Sequence, residues 1–463
     1  MGSTGGACAP NETMCDGGCV DTQTDTAHCG GCGNLCGPDG WTCDMGACAE
    51  MRTWQAPVAL SPAGVDGADP DAAADDAGNA HVVWAEDGAE TGARRYDGAG
   101  NTWQAPTTVD GSTSAPRIAL DRPSGAGWGT WLGPGVPVDI VRGAPVDAMG
   151  WETAIDISMP ADASTVTPPK VAADGNHAVA LWIGPMGNED RLLASRFDGQ
   201  NWTAPQAMDW SGGTWLTIPA WSDEYEVAYG PGTDFAVVVW TQADGGPGKM
   251  QLNANGFGGP EVLANLPGDA SDPTIGIDGS NRAIVAWRQE DGNKPETAIY
   301  AIHYENGWGA PVPLAADPMN NYYGPKIAVT PSGDAMVVYG EIDAGTDERR
   351  LWAQFYDFDT DTWTPAMLLD QAQFDIADWN VAVDDAGNAV VVWRRSDVNP
   401  SVNDAVARRY ARVANAWGPV VALENAPGTA IRTDVAMDGA GNAIAIWQQH
   451  DGANFRIYGS WYR

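Results

Sequence analysis

The segment MDWSGGTWLTIPAWSDEYEVAYG (residues 208–230) gathers Trp210, Trp215, Trp221 and Tyr225 into one expanded stretch. At corresponding places later in the chain stand NNYYG, with Tyr322 and Tyr323, and FDIADW, with Phe374 and Trp379. Aromatic faces stack on the C–H faces of sugars, hold cationic groups or anchor protein partners. The same rings would serve equally to plug a wide central channel. The surrounding loops are acidic, with Asp66, Asp69, Glu86, Asp87, Asp223, Asp272, Glu290, Asp291, Asp375 and Asp378. Such carboxylates draw in cationic ligands or Ca²⁺, or simply form a solvated negative rim.

A second candidate is DFDTDTW, where Asp357, Asp359 and Asp361 alternate as at the start of a calcium loop. Thr362 stands where such a loop has its glycine, and Leu368 where it has its last acid, so the match is partial. No other cofactor is indicated. Enzymatic signals are thin. His28, His81, His177, His303 and His450 are scattered, and His81 and His177 fall on strand positions that should face a neighbouring unit. There is no GxSxG elbow, HExxH or phosphate loop. Paired carboxylates for glycoside hydrolysis stay open, because acids are plentiful. The arginine pairs 94/95, 349/350, 394/395 and 408/409 read as ion-pair partners of acidic neighbours.

The charge balance narrows the partners. The chain has 61 acidic and 24 basic residues, for a net charge of −37. Only Lys170, Lys249, Lys294 and Lys326 are lysines. A field of that sign repels nucleic acid and anionic membrane surfaces. No apolar run is long enough for a transmembrane helix, and MGSTGGACAP lacks the features of a signal peptide. Residues 1–7 read as a flexible lead-in. A Gly/Ser/Thr-rich start also follows the lipidated cysteine of many bacterial lipoproteins, which adds a surface lipoprotein to the expectations.

All eight cysteines, Cys8, Cys15, Cys19, Cys29, Cys32, Cys36, Cys43 and Cys48, precede residue 49. So short a segment with few apolar side chains needs staples, and four disulfides of undetermined pairing are expected. Zinc is the rival, but CGGC at 29–32 has no matching second CxxC. The compartment is then oxidising: extracellular, periplasmic or cell-surface. CDGGCVDTQTDTAHCGGCGNLC, followed by CDMGAC, resembles the Stig1-type cysteine-rich module and the CVD…HCGxCGxxC modules of secreted myxobacterial proteins. The resemblance implies an extracellular location rather than an activity. A module at 8–49 and a second domain at 50–463 are expected.

That second domain repeats itself. DDAGNAHVVW (75–84), DDAGNAVVVW (384–393) and DGAGNAIAIW (438–447) are variants of one phrase. Its closing aromatic recurs as Trp84, Trp131, Trp182, Trp240, Trp287, Tyr339, Trp393 and Trp447. A WxxP-like run begins at Trp54, Trp103, Trp151, Trp202, Phe257, Trp308, Trp363 and Trp417. Units of about fifty residues mean a solenoid, propeller or array. Each unit offers four short β-rich runs with Asp-x-x-Gly-Asn between the second and third, and no sustained helical period. Four antiparallel strands per unit is one propeller blade. The chain ends on FRIYGSWYR and so lacks a last outer strand, which the lone N-terminal WQAPVAL supplies. The expected fold is an all-β, eight-bladed propeller closed by its N-terminal strand. Seven blades would result if one repeat failed to complete.

The repeats resemble the DxxGNAxxVW…WxxP units of large secreted bacterial propellers, and more loosely the Asp-box propellers of sialidase type. The Asp-box places its Trp about three residues after the glycine, whereas Trp84 lies six after Gly78. Sialidase chemistry is therefore not carried over. The leading expectation is a secreted or surface recognition protein that binds a glycan or an extracellular protein at the loop-rich mouth. A polysaccharide hydrolase or lyase using mouth carboxylates is the alternative, and a structural subunit of an extracellular assembly the third. Ligand identity and oligomeric state stay open.

Overall fold

The computed structural model describes residues 8, 12–15, 18–25, 27–34, 41–44, 47–50, 52–87, 90–111, 114–135, 139–158, 167–187, 189–210, 224–231, 235–243, 250–256, 259–290, 296–396, 402–424 and 428–463. No helix occurs among them. Eight four- or five-stranded antiparallel sheets follow one another along the chain, each running from an innermost to an outermost strand. They are the blades of an eight-bladed β-propeller. The innermost strands are Gly67–Ala74, Ser114–Leu120, Lys170–Asp174, Tyr225–Tyr229, Ala270–Ile277, Asn321–Val329, Asp375–Val383 and Ala430–Met437, for blades 1 to 8.

The ring closes as the sequence predicts. In blade 8 the outer place is filled by Val58–Ala59, paired with Tyr458 and Gly459. Trp54 bridges to Tyr462, and Thr53 N–H donates to the Arg463 carbonyl at 2.8 Å. The first and last strands of the domain thus share one sheet.

Two repeated devices build each blade. The NAxVVW run forms the second strand, covered on both faces by adjacent blades, so it can be apolar throughout. Its terminal aromatic is at most 1% exposed in all eight blades. A buried indole N–H needs a partner. Trp240, Trp287 and Trp447 donate to the glutamine two residues on, at 3.2, 3.0 and 3.0 Å, and Trp84 donates to Glu86 at 2.7 Å. Trp131 and Trp393 reach Asp110 and Asp370 instead. The second device is the Asp-x-x-Gly-Asn turn. Asp75 accepts from Ala77 N–H and from both the backbone and the side-chain amide of Asn79. Asp384 and Asp438 make the same Asn contacts. These carboxylates are hydrogen-bonded inside the turn and serve the fold.

His81 and His177 face the next blade, against Trp151 and Tyr229. The arginine pairs divide. Arg350 pairs with Asp343 at 2.8 Å and Arg394 with Asp375 at 2.7 Å. Arg94 and Arg408 correct the ion-pair expectation. Arg94 donates to the carbonyls of Gln104 and Ala59, and Arg408 to those of Gly418, Leu368 and Leu369. Each ties its outer strand to that of a neighbouring blade.

In the N-terminal region Cys8–Cys19, Cys15–Cys32 and Cys29–Cys43 are disulfides. Cys36 and the side chain of Cys48 lie outside the described residues, as do residues 1–7. No described helix is long and apolar enough to cross a membrane.

Candidate functional site

Six of the eight innermost strands carry a bulge at the end where the chain enters them from the preceding blade, and those of blades 3 and 4 pair without one. Pairing with the second strand slips between Ala68 and Asp71, Ser114 and Arg117, Ser271 and Thr274, Tyr323 and Lys326, Ala377 and Asn380, and Ile431 and Asp434. Within each slip one residue takes a positive φ: Asp69 (50°), Ala115 (48°), Asp272 (52°), Gly324 (56°), Asp378 (52°) and Arg432 (53°). For the five that are not glycine this costs about 1 kcal/mol or more each. Proline follows at 70, 116, 273 and 325, where a bulge leaves no ladder hydrogen bond to lose. Bulges bend a strand and re-aim the next side chain.

That next side chain, together with the first residue of the unbulged blade 3 strand and the second of the blade 4 strand, forms a polar ring: Asp71, Arg117, Lys170, Glu226, Thr274, Lys326, Asn380 and Asp434. All but Thr274 line an axial cavity of about 670 Å³. Two of the four lysines of this acidic chain are spent there. One step deeper, the equivalent positions are Ala73, Ala119, Ala172, Ala228, Gly276, Ala328, Ala382 and Ala436. A Cβ on Gly276 would come within 2.3 Å of Val329 Cγ2 in the next blade, so the strands converge closely below the polar ring. At the far end, Arg122 of blade 2 pairs with Asp385 of blade 7. Between them Asp76 N–H donates to the Arg122 carbonyl, and Gly439 N–H to the Asp76 carboxylate, both at 2.8 Å. The cavity therefore occupies the mouth half of the axis, with tied turns behind it.

Most charges in the cavity wall are already paired. Lys170 Nζ lies 2.8 Å from Glu226. Arg432 pairs with Asp69, and its backbone N–H donates to Asp378 at 2.8 Å. Arg394 also holds Asp378, at 2.8 Å. Asp71 and Asp434 differ. Asp71 accepts from Ile118 N–H at 2.6 Å, and Asp434 from Ala72 N–H at 3.0 Å and from the Asn380 amide. All these donors are neutral. Burial, reinforced by the neighbouring Asp434 and opposed by Arg117, pushes the Asp71 carboxyl up to about 7. Burial also raises Asp434. Neither chemistry nor count favours a metal here. Among the described residues, only Cys8, Glu12 and Cys19 bring three candidate ligand atoms together, and two of these form a disulfide.

The aromatic candidates separate. Tyr225 and Trp379 line the cavity. Tyr225 is anchored there by Thr167 at 2.8 Å and the Pro168 carbonyl at 2.9 Å, with the Lys170 ammonium over its ring. Trp379 is 6% exposed, donates to the Gly324 carbonyl at 2.7 Å and meets Tyr323 edge-on. Gly324 is required beneath it, since a Cβ would stand 2.9 Å from the indole. Tyr323 donates to the Ile376 carbonyl, and burial pushes its phenol up to about 12. Tyr322 is buried between blades against Tyr339. Trp210 is exposed and does not line the cavity. Trp215 and Trp221 lie outside the described residues, as do Asp223 and Asp291. Asp357 is engaged by Arg412 and Thr360, and Asp361 by the Tyr356 hydroxyl.

A second hollow of about 710 Å³ lies outside, between the outer strands of blades 1 and 2. Its Arg142 is held by Asp110 and Asp156. The polar ring was not among the residues the sequence singled out. The signal was there as a column four residues before the turn Asp75, Asp121, Asp174, Asp278, Asp384 and Asp438, filled by a different polar residue in almost every blade.

No family model matches the chain, and no curated protein matches it. Solved structures are similar at low identity. One is a protein of unknown function from Dyadobacter fermentans, with 11% identity over 89% of this chain and 99% of that one, at a TM-score of 0.44. Another is an α-L-arabinofuranosidase of Fusarium graminearum in complex with an iminosugar inhibitor, with 9% identity over 89% and 98%, at 0.42. A third is a NanB sialidase mutant from Streptococcus pneumoniae, with 9% identity over 75% and 68%, at 0.36.

Proposed function

We propose that this is an extracellular recognition protein that takes the end of a glycan into the axial cavity. The observation that carries the reading is the ring of inner-strand positions, six of them set by a bulge, that holds a polar side chain in all eight blades without repeating one residue throughout. A fold that needed only a plug would repeat one residue there. The cavity, about 670 Å³, falls in the size range of small-ligand sites and fits one or two sugar residues. The tied turns behind it favour entry from the mouth, and so a chain end over an internal segment. Carboxylates, amide and cations supply hydrogen bonds, with Tyr225 and Trp379 as apolar wall. Disulfides and the lack of a long apolar helix among the described residues fit an extracellular protein.

A glycan array probed with Ca²⁺ and then with EDTA tests this, with wild type beside Arg117→Ala and Lys326→Ala. Binding that both substitutions weaken at least tenfold supports the cavity. Binding that neither changes sinks it in favour of the loops around Trp210. Loss of binding in EDTA would add a metal.

One observation favours hydrolysis as a second reading. Asp71, with its carboxyl near 7, is protonated in a large share of molecules at neutral pH and lies beside a second carboxylate, as a general acid requires. Release of reducing sugar from an oligosaccharide that binds, abolished by Asp71→Asn, would establish it.

A further inference from the structure

We propose that the axial cavity selects a ligand carrying a protonated amine, seated against the adjacent carboxylates of Asp71 and Asp434. For a glycan this means an amino sugar whose nitrogen is unsubstituted. The inference rests on the cavity being the ligand site.

Three of the five acids in the cavity wall already hold a cation. Asp69 has Arg432, Glu226 has Lys170, and Asp378 has Arg394. Asp71 and Asp434 alone among them have no cation within ion-pair distance, and their hydrogen-bond donors are backbone amides and the Asn380 amide. The cation electrostatically nearest, Arg117, turns its guanidinium to the carbonyl of Pro116 at 2.8 Å. Two neighbouring carboxylates in a recessed site are costly unless they share a proton or meet a positive charge. Asp71 is partly open and Asp434 only 8% exposed. An incoming group therefore meets Asp71 first, with Asp434 behind it.

The choice of cation follows from donors and size. A divalent metal would want six or more oxygens, and this wall gathers no three ligand atoms around a point. An ammonium needs only acceptors, which a carboxylate pair offers. Tyr225 and Trp379 in the same wall suit the C–H faces beside such a group. The net charge of −37 raises the local concentration of any cation at the mouth.

Calorimetric titration at pH 7 with a glucosamine trimer, an N-acetylglucosamine trimer and a glucose trimer tests the selection, with 1,5-diaminopentane as a sugar-free amine. The glucosamine trimer should bind at least tenfold more tightly than the other two sugars. Asp71→Asn and Asp434→Asn should each erase that preference, with folding checked by the melting curve. Should a variant not fold, the pH series on wild type decides. Affinity for the diamine should rise about tenfold from pH 6 to pH 8, as the shared proton leaves. Equal binding of all three sugars overturns amine selection and leaves the glycan reading standing. Binding of the diamine without any sugar overturns the glycan reading and supports amine selection. Binding of neither overturns both, and leaves the pair as a proton-sharing contact between blades 8 and 1.

Discussion

Two columns of the repeat, on adjacent strands of each blade, obey opposite rules. The column that ends the second strand is Trp in seven blades and Tyr in one, at most 1% exposed throughout. The column after the inner-strand bulge holds three acids, three bases, a threonine and an asparagine. The first is set by packing between sheets, which is the same problem eight times. The second faces an axis that all blades share, so its members need not be alike. Repetition marks what the fold requires, and departure from it marks where a site can be.

The sharpest way to break this contrast is to truncate one member of each column. Trp287→Ala removes a fully buried ring and its hydrogen bond to Gln289, and should destabilise the protein by about 3–5 kcal/mol. Thr274→Ala, at the ring position of the same blade, should cost no more than about 1 kcal/mol. Denaturant melts of the two variants decide. Comparable losses would mean that the polar ring is as structural as the tryptophan column.

A departure that faces no cavity should be a liability, and His81 is one. Three residues before the Trp column, other blades carry Trp128, Val179, Val237, Ile284, Met336, Val390 and Ile444. His81 is 1% exposed, and neither ring nitrogen has a partner. Burial, helped by Arg95, lowers its imidazole to about 4. The unfolded chain then binds a proton that the folded one refuses, so stability falls as pH drops from 6.5 towards 4. The loss is on the order of 2–3 kcal/mol at pH 4. His81→Leu should flatten that part of the stability profile. An unchanged profile would show that another group governs acid sensitivity.

How far the sequence carried can be seen from these same residues. The blade count, the closure by Val58–Ala59 and the turn role of Asp75 and Asn79 followed from repetition, because local rules acting eight times leave an audible pattern. Tyr225 and Trp379, expected among the loops of the mouth, line the cavity, but their burial was not legible. Burial depends on which blade lies opposite, and no local pattern encodes that. Asp71, Arg117 and Asp434 escaped notice because each looks like an ordinary surface charge until the bulge turns it inward. The αL residues at Asp69, Asp378 and Arg432 were hidden for the same reason, since none is the glycine that a positive φ advertises.

The most discriminating effect for the ring is a gain rather than a loss. Asp71→Asn keeps an acceptor for Ile118 N–H and removes the charge that burial and Asp434 oppose. The folded carboxyl, near 7, is raised above its unfolded value, so the native state holds the proton more firmly. Below about pH 4 both states are protonated, and the substitution should change nothing measurable. As pH rises from about 4 to about 7 the unfolded carboxyl ionises while the folded one keeps its proton, so the wild type loses stability that the variant keeps. At pH 8 Asp71→Asn should therefore be more stable by on the order of 2–4 kcal/mol, read from paired melts at pH 4 and pH 8. A residue kept for packing should not improve the fold when replaced. One kept for a ligand should, because the cost of an unpaired buried charge is then borne by the empty protein and relieved when a cation arrives.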